Sequence, residues 1–181
     1  ECCVASRDTS LTLRVRMTRR PGRQFRSGLA PLELILCLPL LLAVLASRDG
    51  VLEVTLEARP AQLPYGDGAR FAYTYNGTSP GPTLKVRPGD TLVITLENHL
   101  DETTNLHTHG LHVSPSGDGD NIFVMVEPGS THTYTYRIPD DHPPGTFWYH
   151  PHHHGTVAGQ VSAGMAGAIV VDDGTPVPAT E

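Results

Sequence analysis

Apolar and polar residues alternate along several short runs in this chain. "VLEVTLEA" (51–58) alternates strictly from Leu52 onward, and "RFAYTYNG" (70–77) alternates again before closing on Asn76-Gly77, a hairpin-type turn pair. "TLKVRPGDTLVITLEN" (83–98) reads as a strand, a Pro-Gly-Asp turn and a second strand, and "THTYTYRI" (131–138) and "GAIVVDD" (167–173) complete the series. A period of two puts every second side chain on one face of an extended strand. No stretch keeps a 3.6-residue apolar period over helical length, and no internal repeat of 20–50 residues is visible. Short strands separated by turn residues predict an all-β fold, an antiparallel Greek-key sandwich.

The pattern before residue 47 is different. "MTRRPGRQFRSGLAPLELILCLPLLLAVLAS" (17–47) has a basic start, an apolar run Leu34–Ala46 and small residues at its end, the layout of an export signal cleaved after Ala46. A membrane-spanning helix needs about 20 apolar residues, so this run is short for one. The chain therefore divides into a leader, 1–46, and a single domain, 47–181. Glu1 is not a start residue and Met17 is one, so residues 1–16 are expected to be translated upstream sequence. Gly28, Glu33 and the following apolar run resemble a prepilin-type leader, which would imply another peptidase or retention at the membrane. Arg19-Arg20 resembles a twin-arginine signal, but Pro21-Gly22 occupies its hydrophobic position. The expected location is exported, periplasmic or extracellular, with membrane anchoring only through the leader.

Eighteen Gly and sixteen Pro agree with a turn-rich fold. The net charge of −6 hides an asymmetry: residues 1–26 carry seven of the 13 basic residues, whereas from Ser47 onward six basic residues face sixteen acidic ones. Such a body repels nucleic acid and anionic membrane surfaces. Cys2, Cys3 and Cys37 all precede Ser47, so the body has neither a disulfide nor a thiolate metal ligand.

All ten histidines lie between His99 and His154. Two pairs have the form His-x-His: His107/His109 in "NLHTHGL" and His150/His152 in "WYHPHHHG". On an extended strand each pair offers two imidazoles to one side, with Thr108 and Pro151 facing away. Neutral imidazole binds copper, zinc, iron or nickel, and a nitrogen-only set excludes an iron–sulfur cluster or a cysteine-type zinc site. One such pair is weak evidence, since many bind nothing; two pairs, each beside a glycine and backed by aromatic residues, predict a metal site.

"YNGTSPGPTLKVRPGDTLVITLENHL" (75–100), "NLHTHGLHVSP" (105–115) and "PPGTFWYHPHHHGTVAGQVSAGMAGAIVVDD" (143–173) together resemble the first cupredoxin domain of bacterial laccase-like multicopper oxidases. The resemblance runs from about Val51 to Asp173 in the family's order. It implies a cupredoxin-like sandwich supplying half the histidines of a trinuclear copper cluster that reduces O2 to water while a small reducing substrate is oxidised. Residue by residue, it implies His107 on the type 2 copper and His109, His150 and His152 on the type 3 pair. An acid near the cluster supplies protons in this family; "SGDGDNIF" offers Asp118 and Asp120, and Asp120 is favoured as the catalytic acid, with a turn-forming role an equal rival. His154 is expected on the strand face of His150 and His152, His153 facing solvent, and His99, His112, His132 and His142 at the surface or in loops. Trp148, Tyr149 and Met165 are expected to pack in the core, and Gly81, Gly89 and Gly129 to make turns.

The chain also departs from the family. No type 1 copper ligand set is present, because that site needs a Cys thiolate with His. In two-domain copper nitrite reductases a Cys directly follows the His of the "YH" motif; Pro151 stands there. The chain is therefore expected to be inactive alone, a fragment completed by C-terminal cupredoxin domains or a second subunit. Two alternatives stay open: a non-catalytic exported copper-binding module, and a zinc hydrolase or lyase built on His-x-His, which explains fewer of the residues. A cupin-like site would need a carboxylate soon after His-x-His, and none is there.

Overall fold

The computed structural model describes residues 43–176. The expected leader up to residue 42, with Cys2, Cys3, Cys37 and the prepilin-like Gly28 and Glu33, lies outside the described residues.

Two sheets enclose one core. The first contains β1 (Val44–Ala46), β4 (Thr83–Val86), β6 (His107–His109), β8 (Gly145–His150) and β9 (Gly167–Val171), in the order β1-β4-β9-β8-β6. The second contains β2 (Val51–Tyr65), β3 (Gly68–Tyr75), β5 (Thr91–Asn98) and β7 (Thr131–Arg137), in the order β3-β2-β5-β7. Among the described residues there is one short helix, α1 (Val157–Ser162), and no helix long and apolar enough to cross a membrane.

The alternation is expressed most regularly in β5, where Leu92, Ile94, Leu96 and Asn98 point inward and the residues between them stay half-exposed. These meet Leu52, Leu56, Tyr134 and Tyr136 from the same sheet and Leu84, Val86, Ile169 and Val171 from the other. Each aliphatic side chain enclosed in this way contributes about 1.5–3 kcal/mol. Met165 is fully buried among them.

The sheets are mixed rather than antiparallel. β2 runs parallel to β5, and β4 runs parallel to both β1 and β9. Alternation reports that one face of a strand is buried; it carries no information on strand direction. The chain crosses to the other sheet between β3 and β5, and so returns beside β2 in the same sense. The turn that starts this crossing is Asn76-Gly77, with φ of 56° and 78°, values that Asn and Gly tolerate best.

β2 is longer than its alternating segment because it changes partner. Residues 51–58 pair with β5, and Ala58 onward pairs with β3. Pro60 and Pro64 lie in the second half, where β3 is the only paired strand among the described residues, so their missing N–H groups break no ladder there.

Val44–Ala46, the last three residues of the apolar run read as leader, pair with Thr83, Leu84 and Lys85. Cleavage after Ala46 would remove this edge strand. A short apolar run satisfies both descriptions, which is why the sequence pattern does not separate them.

Candidate metal centre

β6 is a three-residue edge strand paired antiparallel to β8, with His107 opposite His150, Thr108 opposite Tyr149 and His109 opposite Trp148. Directly opposed residues project to the same side. His107, His109, Trp148 and His150 therefore share the outer face, while Thr108 and Tyr149 are buried on the inner one. The seat of β8 is built around Tyr149. Its hydroxyl donates to Pro82 O at 2.7 Å, and its ring lies so close to Gly167 that a Cβ there would come within 2.1 Å.

The four imidazoles converge around His107. Its ring centroid lies 5.6 Å from His109, 5.2 Å from His150 and 5.1 Å from His152. Nitrogen atoms of His107, His109 and His150 lie within 4.8 Å of one another. His150 is the most enclosed of the four, at 6% exposure. Its Nδ1 lies 2.8 Å from Pro151 O and so carries the proton, which leaves the buried Nε2 with a lone pair and no partner. Burial lowers the His150 pKa, against the Pro151 bond, which raises it; charge on His107, His109 and His152 lowers it further. A neutral imidazole with a free nitrogen aimed among three others is the donor chemistry a metal ion requires.

Asp120 lies against this group. Its Oδ2 accepts from His107 Nδ1 at 2.8 Å and its Oδ1 accepts the Thr108 N–H at 2.8 Å. The first bond holds the His107 proton on Nδ1, which turns Nε2 toward the other rings. Asp118, with 76% of its side chain exposed, instead lies 3.9 Å from His132. The loop that separates the two roles is tight: the Asp120 N–H bonds Ser114 O at 2.7 Å, and a Cβ on Gly119 would stand 2.3 Å from that carbonyl.

Beneath the site, Tyr134 accepts the Leu106 N–H at 3.1 Å. Burial pushes its phenol up to about 12, partly offset by the Leu106 bond, with the Asp120 charge acting in the upward direction.

Several placements differ from the pattern-based expectations. β8 stops at His150, because Pro151 has no N–H to extend the ladder. His154 therefore shares no strand face with His150, and it is exposed. His153 is half-buried rather than solvent-facing: its carbonyl accepts the Val157 N–H at 3.0 Å, and its ring lies 3.4 Å from Thr156 Oγ. His142 is a loop residue but is buried, accepting the His112 N–H at 3.1 Å. His99 and His112 are exposed. Trp148 is 38% exposed rather than core, with its indole stacked on His150 at 4.0 Å and on His109 at 5.3 Å. Gly89 and Gly129 adopt positive φ as turn formers, whereas Gly81 does not; a Cβ there would lie 2.7 Å from the Tyr149 hydroxyl.

Pattern reading missed Asn105 and Gln160. Both are fully buried, and both bond to segments leading into the site. Asn105 stands inside the quoted "NLHTHGL", but its partners lie far along the chain and nothing in the motif singles it out.

Residues 57–176 match the sequence profile of the multicopper oxidases. The chain belongs to the multicopper oxidase family. It is 36% identical over 127 residues to a multicopper oxidase of Staphylococcus aureus, covering 69% of this chain and 28% of the relative. It is 38% identical over 112 residues to copper resistance protein A of Escherichia coli, covering 60% of this chain and 17% of that protein. A multicopper oxidase of Campylobacter jejuni described as a metallo-oxidase superposes with a TM-score of 0.65 at 36% identity, over 72% of this chain and 28% of that one. A laccase of Pediococcus acidilactici superposes with a TM-score of 0.65 at 28% identity, over 73% and 29%. The fold is thus the cupredoxin-like sandwich of multicopper oxidases, and this multicopper oxidase domain spans under a third of the length of these relatives. Family membership implies copper as its metal.

Proposed function

We propose that His107, His109, His150 and His152 are this chain's share of the ligands of a trinuclear copper cluster. His107 would hold the type 2 copper, and His109, His150 and His152 would hold the type 3 pair. The observation that carries this reading is the convergence of the rings, with the enclosed His150 Nε2 left unpartnered among them. When bound, the copper supplies the electron transfer by which O2 is reduced to water in this family. The chain's own residues orient the imidazoles, and burial favours the neutral form of His150. Asp120 fixes the His107 tautomer and, as a carboxylate in direct contact with a ligand ring, is the proton relay in this reading.

Electron entry would need a Cys thiolate, and no Cys follows Cys37 in the sequence. That centre and the remaining cluster ligands would come from outside residues 1–181, from further cupredoxin domains or a second subunit. O2 and a small reducing substrate are then partners of the completed protein, and the isolated chain binds copper without oxidising phenols. Export is part of the same reading and rests on the basic-then-apolar segment that begins at Met17.

Trp148 is the only tryptophan in the chain and stacks on His150, so Cu(II) uptake should quench its fluorescence. The His107→Ala, His150→Ala double variant is expected to lose that quenching, and with it the nitrogen-coordinated paramagnetic resonance signal of the copper. Unchanged stoichiometry in the double variant would mean adventitious surface sites and would overturn the assignment. Phenol turnover by the isolated chain would overturn its inactivity.

A further inference from the structure

Three of the four imidazoles owe their place to strand register: His107 and His109 to β6, and His150 to β8. His152 does not. It stands beyond the end of β8, past Pro151, with an exposed side chain, yet its ring comes within 5.1 Å of His107. A single buried side chain meets its backbone. Asn105 Oδ1 accepts the His152 N–H at 2.6 Å, and Asn105 Nδ2 donates to Ile122 O at 2.8 Å. Ile122 follows Asp120 by two residues, and Asn105 precedes His107 by two. One carboxamide therefore joins the three segments that bring the fourth histidine, the acid and the hub histidine together.

We propose that Asn105 is the positioning residue for His152, fixing the peptide that aims this imidazole at the metal. The inference rests on the reading of His152 as a ligand. The chemistry selects an amide. The two neighbours present a donor and an acceptor, and the Asn carboxamide answers them from two separate atoms on a short stem. Asn98 provides the contrast: it is equally buried, and its side chain bonds Leu100 N–H, Glu102 O and Val126 O without touching a ligand-bearing segment.

Two measurements on the full chain test the proposal. In the metal-free protein, the His152 amide is protected from hydrogen exchange and loses that protection in Asn105→Ala; an unchanged rate overturns the tether. In a Cu(II) titration followed by Trp148 quenching, Asn105→Ala weakens binding by about tenfold to a hundredfold, the usual effect of removing a group that orients a ligand. His152→Ala gives a similar loss, and the double variant binds no more weakly than His152→Ala alone. Additive losses would overturn the proposal, since Asn105 would then act elsewhere. Asn98→Ala lowers the melting temperature and leaves the titration unchanged; a titration shifted as far as in Asn105→Ala counts against a specific role. If Asn105→Ala does not fold, Asn105→Asp carries the test, because it keeps the acceptor for His152. Protection of the His152 amide is then retained, and its loss overturns the proposal. Should the parent chain itself take up no specific copper, the ligand reading fails by that result, while the exchange measurement still judges the tether.

Discussion

The sandwich body and its histidine-bearing end are held together in different ways. In the body, β2 and β5 pair along eight consecutive residues, and β5 also pairs with β7, so each strand position is secured by ladder bonds and enclosed side chains at once. At the histidine end, β6 is three residues long and, among the described residues, pairs only with β8. The segment that leads into it is fixed by buried amides. Asn105 accepts the His152 N–H and donates to Ile122 O, and Gln160 of α1 accepts from Thr104 Oγ while donating to Thr103 O and Glu102 Oε1. Redundant packing secures the body, and single polar contacts secure the site. Stability and metal geometry should therefore respond to different substitutions.

The largest separation is expected from the body. Leu96 is fully enclosed on β5, and Leu96→Ala should cost about 2–5 kcal/mol in a urea melt. Copper bound per folded molecule should stay at the parent value. Loss of copper from the folded fraction would erase the distinction between the two regions.

Gly167→Ala probes the joint between them. The added Cβ meets the fully buried ring of Tyr149, and overpacking of this kind costs about 1–3 kcal/mol. Tyr149 is followed directly by His150 on β8, so copper affinity should fall together with the melting temperature. A variant as stable as the parent would mean that the ring moves aside, and one that is less stable with unchanged affinity would mean that β8 tolerates the shift.

The same contrast explains what the sequence made legible. Period-two alternation located the segments of β2, β3, β4, β5, β7 and β9, because burial of one face is written in every second residue. It could not give their direction, nor the continuation of β2 through Pro60 and Pro64, where an edge position removes the usual objection to proline. Spacing placed His107 and His109 on one face, and the structure has them so, but the same rule carried past Pro151 misplaced His154. The quoted motif contained Asn105 and gave no reason to single it out, because its partners lie 17 and 47 residues away along the chain. Contacts between distant loops leave no periodic trace. Trp148 was misread for a related reason: an aromatic beside Tyr149 on a strand must take the opposite face, and here the opposite face is the one that carries the histidines.

The smallest expected effect is a proton linkage confined to the site. Burial holds the His150 pKa below its ordinary 6.5, so the unfolded chain takes up this proton at a higher pH than the folded one. The stability tied to the neutral ring is then complete above the unfolded value and is lost as pH falls from there through the folded value. Urea midpoints of the metal-free chain between about pH 8 and about pH 5 should decline across that window. His150→Ala should flatten the decline without changing the response of the body, which follows from packing rather than from a titrating ring. Parallel curves for parent and variant would place the acid sensitivity elsewhere, and would remove the idea that the enclosed, unpartnered nitrogen is maintained neutral at a cost the metal offsets.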